Sequence, residues 1–180
     1  MEVSIFTILA VVLAAFLLFS GGASADQSSY MIRTGQKYLD EQAAKEGAFV
    51  LKSGMVVEWL KKSDDPDARS PNVGDSCECT YEGTFKDGSR FDGGTTSFAP
   101  NQVIKGWTEA MQLISEGDKV KLHIPYNLAY GERGSPPRIP PYSVLVFTLE
   151  IHKVKGGKGK SQAEAREMFE AALASSEGDL

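Results

Sequence analysis

The chain has little of what most catalytic chemistry needs. Its 180 residues include two cysteines and two histidines. No serine or cysteine has an inward-facing histidine to activate it, so a Ser–His or Cys–His nucleophile is not expected. No glycine-rich turn joins a strand to a helix, which removes the usual phosphate cradle. His123 and His152 stand at no ligand-like spacing to Cys77 and Cys79, so neither a metal nor another cofactor is expected. Both histidines fall on the polar phase of their strands and are expected to face solvent. The formal net charge is −5, and the one basic cluster, Lys153 to Lys160, is interrupted by glycines. Nucleic-acid binding needs clustered Lys and Arg, so that class is excluded as well.

Long apolar runs are also scarce. Val3 to Phe19 is almost entirely apolar and is followed by Ala23-Ser24-Ala25. This is the pattern of a secretory signal peptide over residues 1–25, with cleavage leaving Asp26 first. The flank holds Glu2 and no Lys or Arg, so the rival reading is an uncleaved anchor, for which the run falls short of the ~20 residues of a spanning helix. The expected destination is the secretory pathway (ER lumen, periplasm or exterior), with membrane attachment if the segment stays. Export permits a disulfide. Cys77 and Cys79, however, stand at i and i+2 of one strand, a poor fit to disulfide geometry, and are read as two buried thiols.

What is present is an ordinary globular composition, 42% hydrophobic and 24% charged. Residues 26–54 read as a helical lead-in, with Thr34 to Ala44 helical and Gly47 as its stop. Strands are expected at Met55–Lys61, Ser76–Tyr81, Lys119–Ile124 and Tyr142–Val154. Cys77, Cys79 and Tyr81 face inward on the second; Val120, Leu122 and Ile124 do so on the third. Lys86-Asp87-Gly88-Ser89 is a hairpin turn, and Gly93 to Ser97 reads as a flexible stretch. Trp107, Ala110, Met111 and Ile114 keep the spacing of one helix face. The connection Tyr126 to Pro141 exceeds the ~12 residues beyond which loops in compact domains are usually functional. Residues 155–180 read as a Gly/Lys linker and a helix, opened by the capping box Ser161-Gln162-Ala163-Glu164, outside the domain and free either to dock on it or to bind a partner. Short, alternating, hairpin-linked strands with one packed helix make an α+β domain with an antiparallel sheet over residues 55–154. Tyr81, Phe91, Phe98, Trp107, Tyr130 and Phe147 are inward aromatics near loop ends, the composition of an apolar binding cavity, and Asp92 is the carboxylate expected at its rim.

Five strings carry a resemblance in order and at matching spacing: Phe91-Asp92, Val103-Ile104-Lys105-Gly106-Trp107, Leu128-Ala129-Tyr130-Gly131, Ile139-Pro140-Pro141 and Leu145-Val146-Phe147. Together they resemble the FKBP-type peptidyl-prolyl cis/trans isomerases over roughly Asp75 to Val154. The lead-in, Gly35 to Leu39 and Lys52 to Met55, is similar to the exported macrophage-infectivity-potentiator-like branch. The resemblance implies a curved antiparallel sheet wrapped around one short helix. It implies isomerase activity on Xaa-Pro bonds of folding polypeptides, no cofactor, and inhibition by macrolide immunosuppressants. It assigns Trp107 to the floor of the proline pocket, the Ile104 N–H and the Tyr130 hydroxyl to substrate carbonyls, and Asp92 to a hydrogen bond with Tyr81. Phe91, Val103, Ile139 and Phe147 complete the lining. Many relatives have a longer segment where this chain has Gly93 to Ser97. That shortening motivates the alternative of a non-catalytic, proline-binding chaperone on the same fold.

Overall fold

The structure, a computed structural model, describes residues 25–174. The expected signal peptide thus lies outside the described residues except for Ala25, and the tail Glu177–Leu180 lies outside them too. No helix among the described residues is long and apolar enough to cross a membrane.

Six antiparallel strands form the main sheet in the order β1-β2-β6-β7-β4-β5. They are β1 (Ala48–Val50), β2 (Val56–Lys61), β4 (Ser76–Phe85), β5 (Arg90–Phe98), β6 (Lys119–Ile124) and β7 (Leu145–Lys155). A separate pair, β3 (Arg69–Ser70) with β8 (Lys160–Ser161), clips the Pro-bearing loop to the start of the C-terminal helix. The Asp87-Gly88 hairpin forms as the sequence dictates, with Gly88 at φ 86°. Gly93 to Ser97 is not a flexible stretch: it pairs residue for residue with Glu82 to Glu78 inside β5. Thr95 and Thr96 favour a strand and the two glycines oppose it; pairing to β4 decides the balance. The last strand starts at Leu145 rather than Tyr142, because Tyr142 turns at φ 57°.

One face of the sheet packs on α2 (Lys105–Met111). Seven residues without a side-chain cap make a poor helix on their own. Burial holds it: Trp107, Ala110 and Met111 join Leu122, Ile124, Leu145, Phe147 and Leu149 in one core. Gly106 permits the approach, since a Cβ there would stand 2.6 Å from Ile124 Cγ2. Cys77 and Cys79 are fully buried free thiols in the same core. Burial, their largest perturbation, pushes each thiol up to about 12, so neither is reactive.

The opposite face overturns one expectation. His123 is fully buried, not solvent-facing. A helix over residues 25–43, α1, lies across it. Tyr38 Oη is 2.8 Å from His123 Nδ1 and Glu58 Oε1 is 2.6 Å from Nε2, so both ring nitrogens are satisfied. Leu39 packs with Val56 and Val144 beside them.

The C-terminal helix, α3 (Gln162–Ala172), opens on the expected capping box. It does not stand outside the domain. Phe169 is 3% exposed and meets Phe49 and Trp59 edge to face. Arg166 covers the Trp59 ring and pairs with fully buried Asp118 at 3.0 Å. The apolar side of α3 was readable, but its receiving site, Trp59 on β2 and Phe49 on β1, is assembled only by the fold.

Candidate functional site

Where the ends of β4, β5 and β7 meet the start of α2, the fold leaves a cavity of about 410 Å³. Trp107, 3% exposed, forms its floor. Three rings stand against the indole edge to face: Tyr81 at 5.2 Å, Phe147 at 5.3 Å and Phe98 at 5.6 Å between centroids. Phe91 continues the wall, meeting Phe147 at 5.5 Å and 89°. Gly83 makes room for this corner, since a Cβ there would stand 2.8 Å from both the Phe91 and Phe147 rings. Edge-to-face pairs add about 0.5–1.5 kcal/mol each beyond burial, so the cage is rigid before anything enters it. The Trp107 indole N–H is buried with no conventional hydrogen-bond partner and sits among these rings.

The polar groups are few. Tyr81 Oη donates to Asp92 Oδ2 at 3.2 Å, and Asp92 Oδ1 accepts from Gly93 N–H at 2.8 Å. Burial first, then the neighbouring Asp92 carboxylate, raise the Tyr81 phenol above its ordinary pKa, so it remains a proton donor. Val103 and Ile104 close the side next to α2, with Ile104 as the residue that caps the helix. Tyr130, 42% exposed, stands at the mouth. Its loop is braced by Gly131 N–H to Tyr126 O and Tyr142 N–H to Gly131 O.

The fold thus brings together Tyr81, Phe91, Asp92, Val103, Ile104, Trp107, Tyr130 and Phe147 around one space. Ile139 is not among the lining residues. A two-way backbone pairing with Ser135 turns it into the main core at 5% exposure, where it supports the wall from behind. Phe98 belongs to the lining despite the short segment before it. Gln102 also lines the cavity and had no sequence signal; it ends a 3₁₀ turn, where its side chain accepts from Ala99 N–H. No nucleophile–base pair faces the space, and no metal-binding cluster exists among the described residues.

A second cavity of about 290 Å³ lies behind the sheet, between α1, the β4–β5 hairpin and residues 138–144. It has neither the aromatic floor nor a carboxylate–phenol pair.

Comparison with known proteins shows the family. The family profile described as FKBP-type peptidyl-prolyl cis-trans isomerase matches residues 67–152. The macrophage infectivity potentiator of Trypanosoma cruzi is 41% identical over 162 residues, covering 85% of this chain and 82% of that protein. The chain belongs to the FKBP-type peptidyl-prolyl cis-trans isomerases. A probable FkpA of Neisseria meningitidis is 38% identical over 125 residues, covering 67% of this chain and 45% of that protein. Among solved structures, Escherichia coli FkpA superposes with a TM-score of 0.70 at 30% identity, covering 86% of this chain and 74% of that one. A Pseudomonas syringae peptidyl-prolyl isomerase gives 0.67 at 30% identity, covering 72% and 96%. The chain is therefore an isomerase of proline-containing polypeptides.

Proposed function

We propose that the Xaa-Pro bond rotates in the aromatic cavity over Trp107, and that Asp92, Tyr130, Ile104 and Trp107 are the residues that act on it. The observation carrying this is the pairing of an apolar, ring-lined floor with one carboxylate–phenol pair at the wall. Rotation about a peptide C–N bond costs ~18–20 kcal/mol because resonance must be broken. The twisted amide has less charge separation than the planar one. An enclosure that strips water from it therefore favours the twisted state over the planar one. Two orders of magnitude in rate require only ~2.7 kcal/mol, and no proton need move. Trp107 seats the proline ring, while Phe91, Phe147, Phe98 and Val103 exclude water. The Ile104 N–H and the Tyr130 hydroxyl hold carbonyls on either side of the bond, and Tyr81 keeps Asp92 oriented at the wall. Residues 55–154 are the isomerase unit on this reading, braced by the lead-in and by α3. The same cavity suits macrolide immunosuppressants.

The experiment is NMR exchange spectroscopy of an Xaa-Pro tetrapeptide with the purified protein and with Asp92→Leu and Tyr130→Phe. Acceleration by the parent that falls in both folded variants supports the assignment; undiminished acceleration in both refutes it. Routing through the secretory pathway rests on the apolar run and small-residue site at residues 1–25. N-terminal sequencing of the natural protein should begin at Asp26, and a start at Met1 would refute cleavage.

A further inference from the structure

The two edges of the sheet are finished differently. β1, at one edge, is three residues long and is covered by the C-terminal segment. Ala174 N–H donates to Val50 O, Lys52 N–H donates to Ala172 O, and Leu51 bridges Leu173. β5, at the other edge, is nine residues long, and β4 is its only neighbour in the sheet. Alternate backbone N–H and C=O groups of such a strand face away from the sheet. Edge strands are ordinarily blunted by lysine, proline, a bulge or a cover. Gly93 to Ser97 has no lysine or proline, and Gly94 to Ser97 is exposed. The one irregularity in the pairing is a bulge at Phe91, opposite the Gly83–Thr84 step, and pairing runs unbroken from Asp92 to Phe98. The same strand supplies Phe91, Asp92 and Phe98 to the cavity wall. At that end Phe91 O already accepts a hydrogen bond from outside the sheet, from Arg138 Nη1.

We infer that the outer edge of β5 is an extended subsite for the substrate, whose residues flanking the proline add to it as a seventh strand. This rests on the cavity over Trp107 being the proline site. The occupant follows from continuity: a chain whose proline sits between Phe91, Phe98 and Trp107 has its neighbours passing this edge. Proline has no N–H to give, but the residues beside it do. Strand addition reads backbone rather than side chains, and the Gly-Gly-Thr-Thr sequence keeps the approach open. The preferred substrate class is therefore proline flanked by extended segments of unfolded chains.

The test compares three probes on the purified protein: an Ala-Leu-Pro-Phe peptide, a ten-residue peptide with that core and a Val/Thr flank, and the same ten-mer with N-methyl groups on alternate flank amides. The expected result is a KM about fivefold lower for the long peptide at unchanged kcat, as uniform binding gives. N-methylation should abolish the gain. Amide hydrogen exchange of residues 93–97 should slow with the long peptide alone. Thr95→Pro and Thr96→Pro complete the set, because neighbouring strand residues point their N–H groups in opposite directions. The variant whose N–H faces outward should isomerise the tetrapeptide normally and lose only the long-peptide gain. Equal KM values with no protection at 93–97 would overturn the subsite while leaving the cavity intact. Loss of tetrapeptide turnover in Asp92→Leu, with that result, would localise all recognition to the cavity. Protection that grows with protein concentration and without peptide would also overturn it, by showing a second copy on the edge.

Discussion

Two faces of one sheet do different work with the same strands. On β6, Leu122 and Ile124 point to the side that holds α2 and the cavity, while His123 between them points to the side that holds α1. The first side is mostly apolar and leaves a ring-lined space with few polar groups open at its end. The second side closes on a polar triad, Tyr38–His123–Glu58, in which the buried His123 ring has both nitrogens hydrogen-bonded by half-buried partners. On the proposed mechanism the apolar side works by what it lacks, since a desolvated space with few polar groups favours a twisting amide. The polar side gains position, since the triad fixes where α1 docks beside the Leu39–Val56–Val144 packing.

Breaking the first side should cost most. Trp107→Ala removes the ring against which Tyr81, Phe98 and Phe147 stand. Chemical denaturation should show a loss of about 3–5 kcal/mol, and isomerisation should vanish with the floor. Gly106→Ala should follow at about 1–3 kcal/mol, the usual cost of overpacking, because its Cβ would enter Ile124. A denaturation midpoint equal to the parent's would mean that α2 can slide, contradicting a helix held by close approach. Both variants should leave α1 docked, as judged by the NMR shifts of Tyr38 and His123.

The same contrast explains what the residues disclosed in advance. Period-two alternation marks the inward side of β4, β6 and β7 without ambiguity, and the aromatics at strand ends mark the cavity. The outer side was misjudged at His123, because alternation says only that a residue points away from one core. It cannot say that α1, some 85 positions distant in sequence at Tyr38, lies on the other face. Ile139 is legible only in part: its motif neighbours set it near the cavity, but its pairing with Ser135 and its burial in the main core are loop features with no periodicity. Phe169 shows the limit of capping rules, which locate where α3 starts but not what receives it. In Gly93 to Ser97 the glycines mask the strand propensity of Thr95 and Thr96, and pairing to β4 settles it.

Breaking the second side should cost less and should spare catalysis. Tyr38→Phe removes one hydrogen bond to a fully buried ring. A loss of about 1–3 kcal/mol is expected from the unsatisfied nitrogen, with kcat/KM for the tetrapeptide unchanged. A large fall in kcat/KM would show that the faces are coupled through β6 rather than independent.

The smallest effect is a pH dependence confined to the α1 side. Burial, the largest influence on His123, lowers its folded pKa below the ordinary 6.5, although Glu58 pulls the other way. The folded ring therefore binds its proton more weakly than the unfolded one. Stability rises with pH wherever the unfolded state holds more protons. This contribution is complete above about 6.5, the unfolded value, and declines as pH falls from there toward the folded pKa. Denaturation midpoints followed downward from neutrality should show that decline in the parent and a flatter course in His123→Gln. A parent that gains stability over the same descent would mean that Glu58 outweighs burial, and that the triad is an ion pair rather than a neutral ring held between two partners.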